Sequence, residues 1–362
     1  MKLSICPTCG HLLQFESMSC RRCGAPLGFI PGNMELSALV TRFGGVVSPK
    51  ARPDEEWHPC GNAGKADCNW LVPVETHEPY CLACRLNRDV ADLSDPAHLA
   101  KWRAIECAKR RLLYSLMRLG LPIASQTDGA ARGLAFDFRA STKEAQVFTG
   151  HADGLITINI AEACSAERER QRIALGEPYR TLVGHMRHEA GHFYQEVLVT
   201  DAGRIEECRA VFGDETEDYG EALKRHYANG PREGWENSYV SSYAAAHPWE
   251  DFAETWTHYL HIVDALDTAA TFGLTVVPAD GAERATLAID PYDAPDIDSL
   301  LLAWLPLTSA VNALNRSMGQ PDLYPFELAP LAVAKLGFIH DLVRPPRGER
   351  SPAKGPARAT TT

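Results

Sequence analysis

The sequence predicts an α+β fold: a mainly helical domain with a small sheet, preceded by small cysteine-built modules. Three observations point to it. Eight of the eleven cysteines fall before residue 85, at short paired spacings. Two runs, 134–139 (LAFDFR) and 154–160 (GLITINI), alternate in character as half-buried strands do. Beyond residue 95 most of the remaining pattern has apolar residues at helical spacing.

Size and composition narrow the functional classes. With 362 residues there is room for one sizeable domain and a smaller module. The 45% hydrophobic and 23% charged fractions are those of an ordinary globular chain, and no run approaches the roughly 18 apolar residues needed to cross a bilayer. The opening MKLSICPTCG lacks an apolar stretch ending in a cleavage site, so a cytoplasmic address is expected and no membrane partner. A net charge of -11 disfavours nonspecific duplex binding, which depends on neutralising phosphates. Residues 344–362 run the other way, with Arg344, Arg347, Arg350, Lys354 and Arg358 against Glu349. Rich in proline, glycine and charge, they read as a disordered basic tail.

In chain order, residues 1–30 form the first module. Cys6-Pro-Thr-Cys9-Gly and Cys20-Arg-Arg-Cys23-Gly read as a pair of knuckles whose four thiolates close a tetrahedral zinc site. The glycine after each second cysteine frees the backbone to turn toward the sulfurs. A bridge over residues 29–54 leads to a second unit at 55–90, with Cys60, Cys68, Cys81 and Cys84 as a second structural zinc site; His58 and His77 are substitutes. Unpaired thiols or disulfides are the alternative, but a reducing compartment favours metal. Neither unit has many large apolar residues, so bound metal is expected to supply much of the folding free energy, about 10 kcal/mol or more per site.

The larger domain is expected at 95–342. It opens on a long helix after Asp95-Pro96, then the two strands, then a helix over about 178–199. A polar connection at 201–238 follows, then a helix from Pro248 and two more at 297–317 and 326–342. The first of these shorter helices contains His188-Glu189-Ala-Gly-His192. Taking His188 as zero, His192 lies at about 40° and Glu189 at about 100° around the cylinder, so one edge can grip a metal from successive turns. Glu189 then points past the metal toward its water, as a general base for hydrolysis must. His185 shares the stripe at about 60° but is left out of the ligand set.

A metzincin continuation would need glycine at 195 and histidine at 198, where the chain has Gln195 and Leu198. The third ligand must come from elsewhere, and the helix beginning His247-Pro-Trp-Glu250 offers Glu250, with Asp251 and then His258 as alternatives. Glu254, one turn on, is placed to hydrogen-bond a liganding histidine. The expected metal content is thus one catalytic and two structural zinc ions.

CPTCG, CRRCG, CNWLVP, CLACRLNR, GLITINIAEA, EPYRTLVGHMRHEAGH and SYAAAHPWEDFAETWTHYLHIVD together resemble the bacterial zinc-binding metallopeptidases that carry an N-terminal zinc-ribbon region. The resemblance spans nearly everything but the tail. It implies a zincin-like fold and peptidase activity on a peptide or protein substrate. A more distant similarity is to the gluzincin domain of the anthrax lethal factor type, whose Glu-x-x-Ala-Glu pattern is matched by Glu250-Asp-Phe-Ala-Glu254 and whose Ser-Tyr pair is matched by Ser242-Tyr243. That similarity makes Tyr243 a candidate for stabilising the oxyanion. By zincin analogy, the strand at 154–160 would be the sheet edge that binds extended substrate, with Thr157 and Asn159 near the cleft. The reading from another class is a non-catalytic adaptor with a zincin scaffold whose ribbons hold a protein or nucleic-acid partner, the protein being favoured. The intact base Glu189 favours an enzyme.

Overall fold

In the computed structural model, which describes residues 3–129, 132–277, 285–286 and 290–344, helix outweighs strand by 49% to 15%, the mixture expected. The expected tail lies outside the described residues apart from Arg344. The ribbon opens with β1 (Ser4–Ile5) antiparallel to β2 (Leu12–Leu13). An antiparallel five-stranded sheet follows in chain order: β3 (Leu27–Ile30), β4 (Glu35–Thr41), β5 (Val47–Pro49), β6 (Trp57–Pro59) and β7 (Leu71–Pro73). The expected bridge at 29–54 therefore contributes strands to this sheet instead of linking two units. Its glycines and prolines are turn residues of a meander: Pro31 starts one turn, and Gly44 and Gly45 adopt φ of 72° and 80° in the next.

The two cysteine units and the larger domain share one core. Phe15 of the ribbon packs on Phe29, Trp70 and Tyr114 with ring centroids 4.9, 6.4 and 5.3 Å away. Tyr114 belongs to the long helix, which follows β8 (Asn87–Val90) and runs over Pro96–Arg118 with Asp95 capping its first turn through the Ala97 amide. The unit expected at 55–90 is not closed at its end, because β8 pairs in parallel with β9 (Ala135–Arg139). Arg88 fastens that joint by donating twice to the buried Asp137 carboxylate, at 2.9 and 2.7 Å.

The second sheet runs in the order β10 (Gly150–Ala152), β11 (Leu155–Asn159), β9, β8. β11 is parallel to β9 and antiparallel to β10. The three-residue strand β10 was not expected. It covers the side of β11 away from β9, so both edges of β11 are occupied.

With α1 (Ala63–Ala66) between β6 and β7 and α2 denoting Pro96–Arg118, the helices continue with α3 (Ser165–Leu175), mostly polar with no buried residue and laced by Glu167–Arg170 and Glu169–Arg172 pairs. α4 (Leu182–Gln195) carries the histidine pair; it starts four residues later than expected because Thr181 caps it. The connection at 201–238, expected as irregular, holds α5 (Ile205–Phe212) and α6 (Tyr219–Asn229). α7 (Pro248–Thr271), α8 (Ile297–Ser317) and α9 (Pro330–Val343) complete the domain. α8 is long and apolar enough to cross a bilayer by length and composition alone, although polar residues interrupt its apolar run; Leu300, Trp304 and Leu307 pack into the protein core.

α4 and α7 are the central pair. Tyr194 stacks on Trp256 at 5.0 Å and 15°, and Phe193, Phe252, Tyr259 and Leu260 are buried around them. Each such side chain contributes about 1.5–3 kcal/mol on burial. Gly191 sets their separation: a Cβ there would lie 2.9 Å from Ala253 Cα and 3.2 Å from Trp256 Cδ1. That close approach is what lets a carboxylate on α7 reach histidines on α4.

Candidate metal centre and cleft

α4 begins where the Thr181 hydroxyl accepts from the Gly184 amide at 3.0 Å. Its next two turns aim His188, Glu189 and His192 into a cleft of about 740 Å³. α7 starts at Pro248, its cap His247 accepting from the Trp249 amide at 3.0 Å, and this fixes Glu250 in the first turn facing α4. One ligand atom each from His188, His192 and Glu250 lies within 4.8 Å of the others. A tetrahedral zinc with bonds of about 2.1 Å needs donors about 3.4 Å apart. His188 Nε2 is 2.9 Å and His192 Nε2 is 3.7 Å from Glu250 Oε2, so the spacing brackets that value.

The surroundings orient these donors. Glu254 Oε1 lies 2.7 Å from His188 Nδ1, and Ser241 donates to the other oxygen at 2.7 Å. The Glu250 oxygen turned away from the histidines accepts from the Tyr219 hydroxyl at 2.6 Å. Trp249 stacks on His192 at 4.9 Å and 7°, while His192 Nδ1 is buried with no hydrogen-bond partner among the described residues. The alternative ligands are engaged elsewhere: Asp251 pairs with Lys335 at 2.6 Å, and His258 Nδ1 meets the Tyr324 hydroxyl at 2.6 Å.

Electrostatics follow from burial and proximity. Burial lowers His192 to about 4, leaving the neutral ring a metal requires. Burial also opposes charge on His188, yet Glu250 and Glu254 outweigh it and hold the imidazole well above its ordinary value. Glu250 is the reciprocal case: burial pushes it up, but the two histidines and Tyr219 bring it down to about 2. A proton on His188 thus supplies the positive charge that the buried carboxylates call for, the role a bound cation would take. Glu189, 4% exposed, is likewise pushed up by burial and lowered overall by the histidines around it, His185 first.

The cysteines meet the same test. Cys6, Cys9, Cys20 and Cys23 come together, as do Cys60, Cys68, Cys81 and Cys84, without His58 or His77. Tetrahedral ligation at about 2.3 Å requires sulfurs about 3.8 Å apart. The separations are 3.8 Å for Cys6–Cys23, 3.6 Å for Cys9–Cys20, 3.6 Å for Cys68–Cys81 and 3.8 Å for Cys68–Cys84. Gly10 and Gly24 adopt φ of 70° and 71°, the turn that follows each knuckle. Each of the three donor sets fits zinc.

Other expected residues are placed as follows. Tyr243 and Ser242 line the cleft, and the Tyr243 ring lies 6.0 Å from that of His188. The hydroxyls of Tyr219 and Tyr227 approach that of Tyr243. The substrate-edge reading of residues 154–160 is corrected: Thr157 pairs with Gly150 on one side and Asp137 on the other, so β11 has no free edge. Asn159 does reach the cleft, but its amide donates to Ser141 Oγ and the Val147 carbonyl and its oxygen accepts from the Ala161 amide. The edge facing the cleft is β10, through Gly150 and His151. Tyr219, Ser241, His151 and Glu162 also reach the cleft and carry no spacing signal in the sequence; Ser241 adjoins the Ser242-Tyr243 pair and Glu162 lies three residues after Asn159.

Comparison with known proteins agrees with this architecture. Residues 98–342 match the family described as "Putative zinc-binding metallo-peptidase", and residues 3–95 match a zinc-ribbon domain. Uncharacterized proteins of Mycobacterium bovis and Mycobacterium tuberculosis are each 42% identical over 340 residues, covering 93% of this chain and 94% of the relative. No solved structure matches. With two adjoining matches spanning nearly all of its described length, the chain belongs to this zinc-binding metallopeptidase family and carries the zinc-ribbon domain at its N-terminal side.

Proposed function

We propose that the cleft hydrolyses peptide bonds at a gluzincin-type centre in which His188, His192 and Glu250 hold zinc. The observation that carries this is the meeting of those three donors beside Glu189, which lies outside the donor set and whose carboxyl the surrounding histidines lower against the effect of burial. Bound zinc would supply Lewis acidity, polarising the scissile carbonyl and acidifying water. Glu189 accepts the proton from the attacking water and later delivers it to the leaving amine. Tyr243, whose hydroxyl burial keeps protonated far above neutral pH, donates to the oxyanion. The free edge of β10 receives the substrate backbone as an added antiparallel strand. Glu254 and Tyr219 hold His188 and Glu250 in direction, and the two cysteine sites hold structural zinc.

Glu189→Gln tests this reading. The full chain, metal-loaded, is incubated with a mixed peptide library. Wild type should give chelator-sensitive products, and the variant should retain zinc and fold but yield none. Turnover by the variant would remove Glu189 from the mechanism. A purely adaptor role predicts no products from wild type; it also leaves the ionised Glu189 in the cleft without a task.

A further inference from the structure

His185 was set aside as a ligand, and its position explains why it is nevertheless in the cleft. It sits one turn before Glu189 on α4, where i and i+4 side chains meet. Its Nε2 lies 3.2 Å from Glu189 Oε1. Its Nδ1 lies 2.5 Å from Glu162 Oε2. Glu162 comes from the short helical turn Ile160–Ala163 that follows β11, and it is only 4% exposed. The other Glu162 oxygen accepts from the Thr149 hydroxyl, which itself accepts from the Asn159 amide at 3.1 Å. Arg180 lies 3.9 Å from the Glu162 oxygen that faces His185. The row Thr149, Glu162, His185, Glu189 thus runs from the sheet to the cleft.

Both ring nitrogens face carboxylate oxygens, and an imidazole can satisfy two acceptors at once only by donating from both. We infer that Glu162 and His185 form a clamp that fixes the direction of the Glu189 carboxylate: Oε1 is held by His185, and Oε2 is left to face the reacting water. His185 is a positioning residue here, since it acts through Glu189: its ring lies edge-on to that of His188 with centroids 6.3 Å apart, but neither of its nitrogens belongs to the donor set. A glutamate in a cleft otherwise samples several rotamers, and a catalytic group displaced by about 1 Å can cost on the order of 100-fold in rate. This inference rests on the peptidase reading above for its kinetic consequence, though not for its geometry.

The test uses the full, zinc-loaded chain with His185→Ala, His185→Gln and Glu162→Gln. His185→Ala should lower kcat about 10- to 100-fold with KM and zinc content unchanged. His185→Gln, whose amide still reaches Glu189 as a donor, should recover most of the loss. Glu162→Gln should fall between them and serves as well should His185→Ala fail to fold. Crystal structures of wild type and His185→Ala, or Glu162→Gln in its place, supply the readout that needs no activity: the Glu189 carboxylate should leave its wild-type direction. An unmoved carboxylate, an unchanged kcat, or a loss of kcat that merely tracks loss of zinc overturns the clamp. If wild type cleaves nothing, the peptidase reading falls, and the two crystal structures still decide the clamp.

Discussion

Replacing Glu254 with glutamine should weaken the cleft zinc about 10- to 100-fold, the usual effect of losing the carboxylate that orients a liganding histidine. The magnitude follows from two contacts. His188 Nδ1 sits 2.7 Å from one Glu254 oxygen, and the Ser241 hydroxyl donates to the other at 2.7 Å. A carboxylate accepts both. A glutamine can keep its oxygen toward His188 and turn its NH2 to the Ser241 hydroxyl, which accepts as well as donates, so what is lost is the charge on the acceptor that orients His188. The expected weakening corresponds to about 1.4–2.8 kcal/mol at about 1.4 kcal/mol per tenfold. Competition with a chromophoric chelator on the full chain would measure it, with the two four-cysteine groups as internal controls whose zinc should be unaffected. An affinity within about twofold of wild type would refute the assignment of Glu254 as the carboxylate that holds His188.

Other perturbations test the frame around the centre. Gly191→Ala puts a methyl 2.9 Å from Ala253 Cα, so α4 must move off α7; thermal unfolding should show a loss of about 1–3 kcal/mol together with weaker cleft zinc, and an unchanged pair of values would refute the close-approach argument. Lys335→Met strands the fully buried Asp251 carboxylate and should cost about 3–5 kcal/mol near pH 8. Burial already raises Asp251 to about 7 beside Lys335, and a raised carboxyl favours the folded state at low pH and loses that contribution as pH rises through its folded value. Denaturant titrations should therefore find the penalty smaller near pH 5.5; a penalty independent of pH would contradict the assignment to Asp251. Cys81→Ser should remove one zinc and speed hydrogen exchange at Asn87–Val90, and unchanged exchange there would disconnect the second cysteine site from the sheet.

The parts of the site that could be read from the chain are those written at fixed short spacing. The CxxC pairs place two sulfurs in one turn, and His188, Glu189 and His192 share a helix edge by arithmetic alone. Glu250 was within reach because Pro248 marks a helix start and so fixes which face the next acids occupy. Tyr219, His151 and Glu162 were not. They reach the cleft from α6, from β10 and from the turn after β11, and no local period links them to the histidines. The strand error has the same origin. Alternation in GLITINI reveals that 154–160 is extended, but whether an edge is free depends on its neighbours, and a three-residue strand reading Gly-His-Ala gives no pattern to detect. Glycine and proline misled at 29–54 because they punctuate a meander as readily as a linker.

The boundary between the two family matches falls near residue 95, yet the forces cross it. Cys84 is followed within three residues by β8, and β8, β9, β11 and β10 form one hydrogen-bonded sheet that ends at the cleft. On the inner side, α2 turns Glu106, Lys109 and Arg110 toward the second cysteine group, all three nearly inaccessible to solvent. Glu106 lies 3.9 Å from Cys84 Sγ and 2.8 Å from Lys109 Nζ, and that ammonium also faces the rings of Phe136 and Phe138 on β9. Buried charges of this kind are tolerable only while every partner is present, because removing one leaves the others desolvated and unpaired. Four thiolates around a zinc carry net negative charge, which the Arg110 and Lys109 cations beside them offset. The second cysteine group is therefore the electrostatic partner of α2, the first helix of the larger domain, and the same helix carries the ammonium that faces β9 of the sheet ending at the cleft.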